Sequence, residues 1–366
     1  MKTQTLAILI IVAILAFGVI TSERGTFRVL SSPGDVGVQI DAVLTRRNFR
    51  GAALVIQDGE VILRAAYGMA CSTQRIPNTV YSQFHIASVT KSFTGAAILL
   101  LESEGELCTS DTLDNFFTGP EGLENVTIAH LLSMQGGFFD YSTWFFLNPS
   151  DYDIKEAIAM CVEELEAYIM ENMFHGAPQN RPIYCNTDYW LLGRIIEQAS
   201  GITYNEFVAT RLFAPANMVK SGFSGINGAV QPHGLPPAIY VNDINMMDPN
   251  NWPFFFSYST GGLISTVDDL NLWLDAYFGE KFFPAYVLDN VQTGIYNFGW
   301  VFEGDYIWHH PGGGMMGYSS QIVYDRESDT RIILLSNHWM GVNQSLTREI
   351  SEIVLGVPID GFAVPR

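Results

Sequence analysis

The residues from Ala52 to Gly68, AALVIQDGEVILRAAYG, hold two β-rich runs around Asp58-Gly59, the pair that most favours a tight hairpin turn. Two antiparallel strands therefore open the folded body. Further strands come only much later, in FGWVFEGDYIWHH and SQIVYDRESDTRIILLSN, with turns near Gly304-Asp305 and from Arg326 to Thr330. After them SLTREISEIVL has the apolar spacing of a closing helix. The long stretch between is patterned for helices: SVTKSFTGAAILLLESEG, IAHLLSM, DIKEAIAMCVEELEAYIM, DYWLLGRIIEQASG and TVDDLNLWLDAYF. Strands at both ends with helices inserted between them imply a discontinuous α/β domain carrying a helical domain. On this reading the domain runs over 33–357, with its α/β part at 33–87 and 292–357 and its helical part at 88–291. Ser221 to Ser257, rich in Gly, Pro, Asn and aromatics without a sustained period, reads as a long ordered loop, either functional or a mere connection.

The chain has 366 residues, of which 48% are hydrophobic and 16% charged, enough to bury a substantial core and too apolar for a disordered protein. Its 38 acidic residues against 19 Lys and Arg give a net charge of -19. That field repels a phosphate backbone, so no nucleic acid is expected as a partner. Anionic membranes and strongly anionic substrates are disfavoured too, unless some basic residue is held locally in a cleft.

The first residues, MKTQTLAILIIVAILAFGVITSERG, place one Lys ahead of an apolar run from Leu6 to Ile20, of signal-peptide length and short for a spanning helix. Residues 1–22 are expected to be a signal peptide or a signal anchor, giving a secreted or extracytoplasmic body with membrane anchoring through this segment as the alternative. Cys71, Cys108, Cys161 and Cys185 are an even set, which in an exported chain permits one or two disulfides in three full pairings. No CxxC or CxxH spacing is present and the histidines are scattered, so no metal site is expected. Asn125-Val126-Thr127 and Asn343-Gln344-Ser345 fit the N-glycosylation pattern.

Ser88-Val89-Thr90-Lys91 sits where TVYSQFHIA passes into the apolar helix SFTGAAILLL, and its Ser and Lys would share one helical face. A serine hydroxyl becomes a nucleophile when a base removes its proton, and a lysine kept neutral one turn along can do so. The same helix end offers backbone NH groups to an oxyanion. Tyr184-Cys185-Asn186 precedes another helix; residues one apart in an extended segment point the same way, so Tyr184 and Asn186 would face a site while Cys185 faces the interior. A phenol near a lysine can relay protons, and an Asn amide can orient Lys or substrate. Tyr240-Val241-Asn242 has the same form but no helix after it. His309-His310-Pro311-Gly312-Gly313-Gly314 follows a strand, where a Gly-rich edge lets a substrate approach the backbone closely.

These elements, in this order and with these flanks, resemble the serine β-lactamase and penicillin-binding protein superfamily, in particular its class C-like branch with esterases and D-amino-acid peptidases. The likeness runs from about Asp41 to Asn337 and is carried by DGEVILRAAYG, FHIASVTKSFTGAAI, VTIAHLLSMQGGFFDY, YCNTDYWLLGRIIEQASGITYNEFV, STGGLISTVDDLNLWL and WHHPGGGMMGYSS. It implies the β-lactamase/transpeptidase-like α/β fold, an antiparallel β-sheet flanked by N- and C-terminal helices with an inserted mostly helical domain. It also implies Ser88 as acylated nucleophile, Lys91 as its base, and Tyr184 as the group that protonates the leaving group and later activates water. Asn186 would contact substrate, as would His310, Gly312 and Gly313, with the NH groups of Ser88 and Gly313 as oxyanion hole.

This chain departs from the family pattern at three places. The third motif, usually Lys-Thr-Gly, is here His310-Pro311-Gly312, as in esterase-like and aminopeptidase-like members; no ExxLN stretch is present; and Ser133-Met134-Gln135-Gly136-Gly137 replaces the usual HTSG-like loop. The expected activity is serine hydrolysis of an ester or amide in a small or peptide-like substrate. The rivals are a D-Ala-peptide carboxypeptidase or β-lactamase, and a catalytically idle binding or scaffold protein of the same fold. Trp144, Phe145, Phe146, Trp252 and Phe254 to Phe256 are candidates for an apolar cleft or for packing. The sequence does not indicate an oligomeric state.

Overall fold

The computed structural model describes residues 28–29, 35–72, 74–143, 160–223, 240–241, 244–245, 254–313 and 317–359. Eight of its strands make one antiparallel sheet: β1 (Arg28–Val29), β2 (Gly51–Gln57), β3 (Glu60–Tyr67), β4 (Tyr296–Asn297), β5 (Trp300–Glu303), β6 (Ile307–Gly313), β7 (Ser319–Asp325) and β8 (Thr330–Ser336). Their order across the sheet is β1-β3-β2-β8-β7-β6-β5-β4. The hairpin between β2 and β3 turns at Asp58 and Gly59, whose φ of 52° and 76° are the consecutive positive values that a tight primed turn needs. β2 and β8, far apart in sequence, pair from Gly51 opposite Ser336 to Ile56 opposite Arg331. That pairing joins the two ends of the chain into the single sheet expected from the sequence.

Both faces of the sheet are covered, and the period of two in its strands divides the apolar residues between two cores. Ala53, Val55, Val323, Ile332 and Leu334 pack with the helices α1 (Asp35–Arg46) and α5 (Gln344–Leu355), which contribute Ile40, Leu44, Leu346 and Ile350. Ala52, Leu54, Ile56, Ile322, Ile333 and Leu335 face the opposite way, into a larger core shared with the helical part. At the centre of that core lies α2 (Thr90–Glu104), every residue of which from Thr90 to Leu101 is buried. A helix buried on all sides must be apolar all round, which is how FTGAAILLL reads. Around it stand α3 (Asn186–Ser200) and α4 (Val267–Phe278), with Trp273 of α4 stacked on Phe93 of α2 at 3.8 Å between ring centroids.

The helix expected over DIKEAIAMCVEELEAYIM is described as Val162–Asn172; residues 151–159 lie outside the described residues. So do the leader, Trp144 to Phe146, Trp252 and the side chains of Phe254 to Phe256. Within the long Gly/Pro-rich segment, Tyr240–Val241 pairs with Ile244–Asn245, and the side chain of Tyr240 is outside the described residues. No helix among the described residues is long and apolar enough to cross a membrane. The even cysteine set forms no disulfide: Cys71, Cys108, Cys161 and Cys185 are all free thiols. They sit on separate elements, with Cys185 buried in the helical core and Cys108 and Cys161 exposed.

Candidate active site

Ser88 lies in a short turn of 3-10 helix, Ala87–Val89, that leads directly into α2. Ala87 has φ of 47°, a left-handed conformation that costs a non-glycine residue about 1 kcal/mol or more and is kept only where the surroundings enforce it. They do so at Ile86, whose NH bonds the Leu263 carbonyl at 3.0 Å and whose carbonyl accepts from Ser320 Oγ at 2.7 Å. The sharp bend that presents Ser88 is thus clamped between the helical part and the sheet.

Lys91, one turn on, is fully buried. Its Nζ is 2.8 Å from Asn186 Oδ1, 2.8 Å from the Thr260 carbonyl and 3.2 Å from Ser88 Oγ. The first two atoms can only accept hydrogen bonds, whereas a serine hydroxyl can also donate. Tyr184 completes the chain from the other side, donating to Ser88 Oγ at 2.7 Å. The expected alternation holds at this segment: Tyr184 and Asn186 both turn toward Lys91 and Ser88, while Cys185, extended at φ -140° and ψ 114°, is buried and donates to the Phe138 carbonyl at 3.5 Å. Asn186 is itself oriented by Asp140, whose Oδ2 accepts from the Asn186 NH at 2.6 Å and from its Nδ2 at 2.9 Å; Ser142 Oγ also takes Nδ2 at 3.1 Å. With the amide nitrogen so engaged, its oxygen must face Lys91.

A pocket of about 240 Å³ opens over Ser88, with Tyr184, Gly312, Gly313, Trp339, Met340 and Asn343 among its walls. Gly312 could be no other residue without rearrangement: a Cβ there would stand 2.3 Å from both the Ile86 carbonyl oxygen and Ser320 Oγ, and 3.2 Å from Ser88 N. The edge of β6 therefore runs against the nucleophile turn with only backbone between them, the close approach expected of this glycine run. Gly313 lies at the strand's end beside the pocket, and residues 314–316 are outside the described residues.

His310 does not face this pocket. It is completely buried, with Nδ1 2.5 Å from the Pro311 carbonyl and Nε2 3.4 Å from the Tyr296 hydroxyl, a pattern met by a neutral ring protonated on Nδ1. Burial holds its pKa well below the usual 6.5. His310 therefore reaches no substrate in the pocket and offers it no cation, and the expectation that it would contact substrate is corrected.

His85 and His309 are buried as well, and burial lowers each to about 4. These three neutral histidines make the fold acid-sensitive. Their folded pKa values lie below the unfolded value, so unfolding takes up protons below pH 6.5, and each contributes a loss of about 1.4 kcal/mol per pH unit as pH falls toward its folded value. Asp188, buried and raised well above 3.8, and Asp269, raised less, act in the opposite sense. His130 and His338, also lowered by burial, add to the histidines, and five groups against two leave a net loss, so the urea midpoint should be clearly lower at pH 5 than at pH 7. An equal or higher midpoint at pH 5 would show that these rings are reached by water.

The structure brings Ser88, Lys91, Tyr184, Asn186, Gly312 and Gly313 together and leaves His310 buried beside Tyr296. Asp140, Ser142, Thr260, Trp339 and Met340 join the site without having been singled out from the sequence. The first three act through loop geometry or a backbone carbonyl, which no residue pattern marks; the aromatic Trp339 following the last strand was the one available signal. Among the described residues no group of three or more His, Cys, Asp or Glu is placed to hold a metal ion.

Residues 39–354 match the family model described as Beta-lactamase. Penicillin-binding protein 4* of Bacillus subtilis (strain 168) is 29% identical over 347 residues, covering 86% of this chain and 74% of that protein. Protein flp of Staphylococcus aureus (strain N315) is 24% identical over 82% of this chain, which spans 62% of that protein's length. Among solved structures, the octameric penicillin-binding protein homologue from Pyrococcus abyssi superposes with a TM-score of 0.71 at 24% identity, over 89% of this chain and 78% of that one. D-amino acid amidase from Ochrobactrum anthropi SV3 gives a TM-score of 0.71 at 20% identity, over 88% of this chain and 98% of that one. These structural likenesses carry the fold, and the family match, which spans most of the sequence, carries the membership: the chain belongs to the beta-lactamase family of serine hydrolases.

Proposed function

We propose that this protein is an exported hydrolase that acylates Ser88 and cleaves an amide or ester bond in a small or peptide-like substrate. The observation that carries this reading is the continuous hydrogen-bonded chain from Tyr184 through Ser88 to Lys91. A neutral lysine amine has two N–H donors and one lone pair. Donation to Asn186 Oδ1 and the Thr260 carbonyl uses both donors and turns the lone pair to Ser88 Oγ. Lys91 then takes the Ser88 proton as Oγ bonds the substrate carbonyl carbon, and the oxyanion forms against the NH groups of Ser88 and Gly313. Tyr184 gives its proton to the departing nitrogen or oxygen as that bond breaks and is reprotonated from Lys91. Water enters by the reverse path: Tyr184 passes its proton to Lys91 and takes one from the water as the water oxygen bonds the acyl carbon, and Lys91 returns its proton to Ser88 Oγ as the acyl C–O bond breaks and the acid product leaves. The mechanism calls for no metal or organic cofactor.

The names of the relatives, a penicillin-binding protein and a D-amino acid amidase, support a peptide-like amide as substrate. Export rests on the leader MKTQTLAILIIVAILAF. The neutral, buried His310 in place of the usual Lys weighs against a true β-lactamase or a D-Ala carboxypeptidase, since both bind a substrate carboxylate at that position. The test is labelling with a fluorophosphonate, which should modify the peptide containing Ser88. It is followed by p-nitrophenyl esters and D-amino acid amides assayed beside a chromogenic cephalosporin. Turnover of esters or amides at least tenfold above that of the cephalosporin is expected; the reverse order would make the protein a β-lactamase, and absence of any labelling would make it an idle fold.

A further inference from the structure

The catalytic pocket shares part of its wall with another. Met340 and Asn343 line both it and a second pocket of about 210 Å³, whose walls also include Arg47, Asn48, Arg50 and His338. Among the described residues no Asp or Glu lines this second pocket, in a chain with 38 acidic residues. Arg47 is already engaged, by Glu349 at 2.8 Å and by Ser345 Oγ at 3.0 Å. Arg50 has no carboxylate partner among the described residues. Its stem is held over Gly68, where even a Cβ would come within 2.9 Å of Arg50 Cγ, so the guanidinium is presented from a fixed base. His338 stands close enough for Arg50's charge, after burial, to lower its pKa. The His338 ring accepts the Met340 NH on Nδ1 at 3.4 Å, which leaves Nε2 as a proton donor.

Sheet register sets how far Arg50 lies from the nucleophile. Gly313 is opposite Ser319, Ser319 opposite Ser336, and Ser336 opposite Gly51. Three interstrand steps of about 4.8 Å put Gly51, and Arg50 immediately before it, about 14 Å along the sheet end from the oxyanion corner. An extended peptide rises about 3.4 Å per residue, so about four residues cover that span.

We propose that Arg50, assisted by His338, is a specificity-determining anion subsite that binds a carboxylate carried by a peptide-like substrate about four residues from the scissile bond. The proposal rests on the hydrolase reading above and names the part of the substrate that this site would select. With the chain at a net charge of -19, a carboxylate approaching the pocket is repelled unless an unpaired cation waits there, and Arg50 is such a cation among the described residues. A charge-assisted, fork-like contact from a guanidinium is the strong and geometrically selective form of that interaction.

The test uses extended peptide esters and amides of matched length that end, four residues from the scissile bond, in a carboxylate or in the corresponding carboxamide. One series carries that end on the acyl side and one on the leaving-group side. In one series at least, the wild type should favour the carboxylate by about tenfold in kcat/KM, through KM, and the preference should fall to near one in Arg50→Gln and be partly kept in Arg50→Lys. Peptides with the carboxylate two residues from the bond should show no such dependence on Arg50. A wild-type ratio near one in both series, or a preference unchanged in Arg50→Gln, overturns the subsite. Equilibrium binding of the same pairs to Ser88→Ala, with and without Arg50→Gln, reads the preference without turnover. Failure of hydrolysis and failure of the subsite are thereby told apart.

Discussion

Replacing Ser88 with alanine is expected to abolish fluorophosphonate labelling and to lower turnover of every ester or amide substrate by on the order of a thousandfold or more, with little change in the unfolding midpoint. The argument is local. Among the described residues Ser88 Oγ bonds only within the catalytic chain, to Lys91 and Tyr184, and caps no helix end. After its removal Lys91 keeps Asn186 Oδ1 and the Thr260 carbonyl, and the Tyr184 hydroxyl sits beside an open pocket where water can replace the lost partner. The stability cost is therefore about that of one ordinary hydrogen bond, about 1 kcal/mol. Intact-mass measurement after labelling, together with a thermal melt, checks both halves. Undiminished labelling of the variant would mean that another nucleophile is acylated.

What the sequence made legible follows from how local each signal is. Ser88 and Lys91 are three apart on one helix, and Tyr184 and Asn186 two apart in an extended segment, so their common orientation follows from backbone periodicity alone. The sheet was readable because the Asp58-Gly59 turn and the alternating runs survive on both sides of the helical insertion. His310 was misread for a reason that the structure makes plain. A strand with one wet face would turn either His309 or His310 outward, but this sheet has helices on both faces, and both rings end up buried. Arg50 carried no signal at all. It precedes a β-strand 38 residues ahead of Ser88, and only the pairing of β2 with β8 brings it to the same end of the sheet as the nucleophile. The restraint on Asn186 by Asp140 is equally invisible, since it depends on a loop folding back 46 residues from the side chain it holds.

Lys91→Ala and Tyr184→Phe should each cut turnover by about a hundredfold to ten-thousandfold, the usual worth of general acid and base assistance, with much smaller changes in substrate affinity. They should differ in what they do to the fold. Tyr184→Phe removes one hydroxyl at the pocket wall. Lys91→Ala empties a fully buried site and strips Asn186 Oδ1 and the Thr260 carbonyl of their donor; each buried acceptor left unsatisfied costs about 1 to 3 kcal/mol, so the midpoint of unfolding should drop markedly in this variant alone. Because the proton passes along one chain, from Ser88 to Lys91 and from Tyr184 to the leaving group, losing either end interrupts the same sequence of transfers. The double variant should accordingly be scarcely slower than the worse single one, where independent contributions would multiply. Turnover of the four proteins with one activated ester and one amide decides the matter. The amide should be hit harder by Tyr184→Phe, since its poor leaving group depends on protonation while a nitrophenolate does not. Near wild-type amide hydrolysis by Tyr184→Phe would move the acid role to another group, and strictly multiplicative losses would separate Lys91 and Tyr184 into two unconnected tasks.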